Sequence, residues 1–65
     1  MILVEDGDKY FTIADFFCND KEHYIKIFYR DGKTRLIQDV GFNIVFDDGI
    51  IRLSIKRDEA YEKSK

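Results

Sequence analysis

Apolar and polar residues alternate along most of the chain, and the dipeptide Asp-Gly interrupts the alternation at Asp6-Gly7, Asp31-Gly32 and Asp48-Gly49. A period of two marks strands with one buried face, and Asp-Gly supplies the positive φ that tight hairpin turns require. The pattern predicts a mainly β chain: a small antiparallel meander, or an SH3-like or open barrel, of five to six strands. The last hairpin is the best defined. With Asp48-Gly49 as a two-residue loop, Asp47 faces Ile50, Phe46 faces Ile51, Ile44 faces Leu53 and Phe42 faces Ile55. One face then holds Phe42, Ile44, Phe46, Ile51, Leu53 and Ile55. The other holds Asn43, Val45, Asp47, Ile50, Arg52, Ser54 and Lys56. A slip of one residue would set core positions against solvent positions throughout, which fixes the register.

The other hairpins are less clean. A two-residue loop at Asp31-Gly32 pairs Tyr29 with Thr34, Ile27 with Leu36 and Ile25 with Gln38. It pairs Arg30 with Lys33, Phe28 with Arg35 and Lys26 with Ile37 on the opposite face, so both faces carry large apolar groups. A loop at Asp6-Gly7 places Leu3 opposite Tyr10 and Ile2 opposite Phe11. Residues 12–19 support two readings. As a strand, residues 9–18 continue to a turn at Asn19-Asp20 and pair with residues 22–29. As one short helix, Thr12 is the N-cap and Ile13, Phe16 and Phe17 share a face. Asp39-Val40-Gly41 reads as a bend into the last hairpin. The charged stretch from residue 58 onward reads as a tail, with Glu59 and Lys63 at helical spacing and a short C-terminal helical turn as the expected local structure.

Size and composition narrow the function. Sixty-five residues hold one domain, placed at residues 1–57, and so short a chain buries only about 60% of its unfolded surface. Domains of this size are commonly supported by disulfides, a metal or a partner subunit. Cys18 is the single cysteine and His23 the single histidine, so neither an internal disulfide nor a structural zinc set is expected. No cofactor is expected either. A 15% aromatic content offers a dense core instead. The lone cysteine, and the acids Glu5 and Asp6 that cut short the apolar start, point to a cytoplasmic protein with no membrane span. Its wealth of Ile, Lys, Phe, Tyr and Asn, types with AT-rich codons, suits a low-GC bacterium or a phage.

No residue set proposes an enzyme. Cys18 and His23 can flank one turn, but a thiol–imidazole pair also needs an orienting group and an oxyanion site. Asp6/Asp8 and Asp47/Asp48 sit beside turn glycines, where turn chemistry accounts for them without a cation. The four glycines are too scattered for a phosphate loop. Net charge is −2, yet residues 26–35 hold four bases against Asp31. In the two-residue register, Tyr24, Lys26, Phe28, Arg30, Lys33 and Arg35 project together from the middle hairpin. Aromatics with Arg suit a protein hot spot, and bases interleaved with rings suit a single strand of nucleic acid. The expected function is a non-enzymatic interaction protein, a regulator or inhibitor of the phage or mobile-element type that binds and blocks a larger protein. Self-association as a homo-oligomer accompanies it, and a single-stranded nucleic-acid-binding β-barrel module is the alternative.

Overall fold

The computed structural model describes residues 1–57. The domain is all-β across these residues, in two sheets. Strands β1 (Ile2–Asp6), β2 (Lys9–Ile13), β6 (Gly41–Asp47) and β7 (Ile50–Lys56) form one sheet in the order β2-β1-β7-β6. Strands β3 (Asp15–Asn19), β4 (Tyr24–Phe28) and β5 (Thr34–Gln38) form the second, in the order β3-β4-β5. Six strands were read from the sequence as an upper count; the seventh arises because a bend at Ala14 divides the stretch from Lys9 onward. The tail expected from residue 58 onward, and the helical turn expected in it, lie outside the described residues.

Each Asp-Gly dipeptide makes a different turn. At Asp48-Gly49 both residues have positive φ, 53° and 79°, the signature of a two-residue type I′ loop. The register expected for this hairpin is the one observed, from Asp47–Ile50 to Phe42–Ile55. At Asp6-Gly7 the loop is Gly7-Asp8, with positive φ only at Gly7 (65°), as a type II′ turn requires. Asp6 stays in the strand opposite Lys9, and Leu3 pairs with Thr12 instead of Tyr10. The shift is an even one, so the predicted faces survive: Ile2, Val4, Phe11 and Ile13 still lie together.

The middle hairpin departs by an odd step. Its loop has three residues, Arg30-Asp31-Gly32: the Gly32 N–H donates to the Tyr29 carbonyl (3.1 Å) and the Tyr29 N–H to the Lys33 carbonyl (2.8 Å). Only Gly32 takes positive φ (90°), which makes a turn closed by a left-handed glycine bulge. Ile25 therefore pairs with Ile37, Lys26 with Leu36 and Ile27 with Arg35. The predicted partners of Ile25 (Gln38), Ile27 (Leu36) and Lys26 (Ile37) are corrected accordingly. Burial is the physical reason, because this register puts Ile25, Ile27 and Ile37 on one face, each 5% exposed or less.

The helical alternative for residues 12–19 is overturned. Residues 15–19 alternate in and out as β3 does, with Phe16 and Cys18 packed on the core and Phe17 outside. A helix would have put Phe16 and Phe17 on one side and left β4 without its neighbour. At the bend, the Ala14 N–H donates to the Phe28 carbonyl (2.9 Å) and carries the chain from one sheet to the other. Asp39 takes φ 63° at the second corner, and the Val40 N–H donates to the His23 carbonyl (3.1 Å).

The core lies between the sheets. Val4, Ile13, Leu53 and Ile55 from the four-stranded sheet meet Ile25, Ile27 and Ile37 from the other, with Val40 at the corner. Phe11 stacks on Tyr29 at 6.2 Å between ring centres. The topology is a meander except at one seam. There β1 and β7 run parallel, from Ile2–Ile51 to Asp6–Ile55, with the Ile51 N–H donating to the Met1 carbonyl (3.0 Å). Arg57 closes this seam with two 3.0 Å hydrogen bonds to the Asp6 carboxylate. No helix is long and apolar enough to cross a membrane among these residues.

Candidate interaction face

The outer side of the three-stranded sheet is built by rows of cross-strand neighbours. Phe17, Lys26 and Leu36 form the central row, Asn19, Tyr24 and Gln38 the row on one side, and Asp15, Phe28 and Thr34 the row on the other. The outward side of such a sheet is ordinarily polar. Here Phe17 and Leu36 are each 53% exposed, although neither packs on the core.

The rings and the single lysine of this face organise one another. Phe17 and Tyr24 lie tilted at 6.2 Å between ring centres. The Lys26 ammonium sits 5.4 Å from the centre of the Phe28 ring, within cation–π range. In the central row Lys26 stands between Phe17 and Leu36 of the neighbouring strands. A shallow groove of about 480 Å³ runs along the β4–β5 side, lined by Glu22, Tyr24, Lys26, Thr34, Leu36 and Gln38.

Of the residues grouped from the sequence, Tyr24, Lys26 and Phe28 come together on this face. Arg30 belongs to the hairpin loop, and Lys33 follows it with its N–H bound to the Asp31 carboxylate (3.0 Å). Arg35 is on the opposite side of β5, paired with Ile27, and is close enough to Asp6 to help lower that carboxyl's pKa. The odd register step is the cause, since it turns every side chain of β5 over. It removes Arg35 and Ile37 from the face and brings in Leu36. Phe17 was missed for another reason: its place opposite Lys26 depends on residues 15–19 being a strand. The signal that could have found it is the in–out alternation of Phe16, Phe17 and Cys18 beside a β4 that is apolar on both sides.

The titratable groups elsewhere are set by their surroundings. Cys18 lies opposite Ile25 against the core, and burial raises its thiol pKa, which keeps it protonated at neutral pH. His23 is exposed in the β3–β4 turn at φ 60°. The Arg57 hydrogen bonds hold the Asp6 carboxyl below its ordinary 3.8, against the opposing effect of burial. No protein-family model, curated protein or solved structure matches the chain.

Proposed function

We propose that this protein is a non-enzymatic interaction module, a small regulator or inhibitor of the phage or mobile-element type. It acts by laying the outer face of its three-stranded sheet on a larger protein. The observation that carries the reading is the row Phe17–Lys26–Leu36 with Tyr24 and Phe28 beside it. This is apolar and aromatic surface on the side of the sheet that the core does not use. Clustered aromatics on a rigid sheet are how protein hot spots are made, because rings already fixed by the fold lose little entropy on binding. The face carries the acid Asp15 and the base Lys26 among its rows, and Lys26 is engaged with Phe28. That balance favours a protein surface over a phosphate backbone.

The test is affinity capture from cells that make the protein, comparing wild type with Phe17→Ser/Leu36→Ser. Both positions are exposed, so circular dichroism should show the variant folded. The reading expects a discrete protein retained by wild type and by a Lys33→Ala control but lost by the double variant. Equal retention by the double variant removes the face from consideration. Binding to a single-stranded oligonucleotide that falls steeply with salt would transfer the function to nucleic acid.

A further inference from the structure

The far edge of the four-stranded sheet has a property that the interaction face does not explain. β6 is an edge strand, seven residues long, and its only charge is Asp47 at the turn. Long apolar edges are ordinarily blunted by a lysine, a proline, a bulge or an inward charge. β5 is an edge of the other sheet, and its inward Arg35 is such a device. β6 has none from Gly41 to Phe46.

The backbone of this edge can be assigned. In a two-residue hairpin the pair flanking the loop exchanges both hydrogen bonds, and bonded pairs then alternate. Asp47, Val45, Asn43 and Gly41 are thus bound to β7. Ile51, the partner of Phe46, instead directs its N–H to Met1 on the opposite side. The N–H and C=O of Phe42, Ile44 and Phe46 consequently point outward from the sheet, with no strand beside them among the described residues. Their side chains share the inner face, and the second sheet does not cover its end: Ile44 is 45% exposed and Phe46 72%.

We infer that this edge pairs with the same edge of a second copy, antiparallel, about a two-fold axis at Ile44. Ile44 then opposes Ile44 of the second copy, and Phe42 opposes Phe46 in both directions. Every outward N–H and C=O of Phe42, Ile44 and Phe46 is satisfied in this register. A two-fold placed at Asn43 or Val45 leaves part of them unbound. The charges agree with the same register. Asp47 falls opposite Gly41 of the second copy, which has no side chain and whose own ladder partner is Lys56. The Lys56 side chain can reach across the glycine to the carboxylate, once at each end. A specific interface ordinarily buries at least about 1,000 Å² in total, and one edge of seven residues belongs at the weak end of that class, with dissociation on the order of 10 μM expected. The paired edges make one continuous sheet from two copies of the four-stranded one.

Sedimentation velocity over a concentration series up to about 1 mM should show a monomer–dimer equilibrium. Ile44→Lys, at a half-exposed position, should keep the fold and weaken association at least tenfold, because it sets two ammonium groups face to face. The register is read by mild oxidation in a Cys18→Ser background. Ile44→Cys should cross-link, since bonded antiparallel pairs hold their Cα atoms about 5.5 Å apart, within disulfide reach. Asn43→Cys, opposite Val45 of the second copy, should not. A wild-type chain monomeric throughout overturns the inference, and so does dimerisation unaffected by Ile44→Lys. Cross-linking of Asn43→Cys as fast as Ile44→Cys overturns it too.

Discussion

A single carboxylate shows how much one side chain can hold at this size. Asp6 ends β1, and Arg57 follows β7, so their two hydrogen bonds fasten the ends of strands that the chain order places far apart. The geometry is bidentate and charge-assisted, while the half-exposed guanidinium is screened by solvent. Asp6→Asn should therefore cost about 1 kcal/mol, read from urea midpoints at neutral pH. The pH dependence follows from the direction of the shift. The folded carboxyl ionises below its ordinary value of 3.8, so the stabilisation is complete above that value and is lost as pH falls toward the folded pKa. Below that range Asp6→Asn and wild type should converge. A difference that persists unchanged at pH 2 would show that the pair contributes by packing and not by charge.

At the scale of the strand, register decides which residues are core and which are surface. Residues 34–38 contain two apolar neighbours, Leu36 and Ile37, so either phase of β5 must expose one of them. The structure exposes Leu36 and buries Ile37 to 5%. Leu36→Lys should thus change stability by no more than about 0.5 kcal/mol, whereas Ile37→Lys should leave the chain unfolded, as far-ultraviolet circular dichroism would report. The two-residue reading of the Asp31-Gly32 loop reverses these outcomes. This ambiguity marks where the sequence was legible and where it was not. Around Asp48-Gly49 every apolar residue of one face meets another across the ladder, so the alternation admits one register. Around Asp6-Gly7 the alternation fixes the faces but not the partners, because a step of two preserves both. Around Asp31-Gly32 the dipeptide serves loops of either two or three residues, and only the requirement to bury Ile25, Ile27 and Ile37 together selects one. Tyr24, Lys26 and Phe28 were found from the sequence because they lie on one strand. Phe17 and Leu36 depend on two neighbouring strands being phased correctly.

For the whole molecule the decisive contacts join distant parts of the chain. Val4 and Leu53 are fully buried and pair across the parallel seam, yet nothing near either in sequence announces the other. A domain this small has about 3–5 kcal/mol to lose. Leu53→Ala should remove about 2–5 kcal/mol, comparable with the whole stability, and chemical denaturation should find it partly unfolded without denaturant at 25 °C. A change below about 1 kcal/mol would mean that the seam is not central to the core. The parallel seam also sets the order of events on the ribosome. β1 and β2 emerge first as a hairpin, and an isolated hairpin is marginally stable in water. Its other neighbour, β7, is the last of the described strands in chain order, and at about 5–20 residues per second it is made seconds later. A chain cut before Ile50 lacks the parallel partner of β1 and should not fold, which far-ultraviolet circular dichroism of residues 1–49 would report. The seam therefore makes the folded state depend on two segments, residues 2–6 and 50–56, being present together.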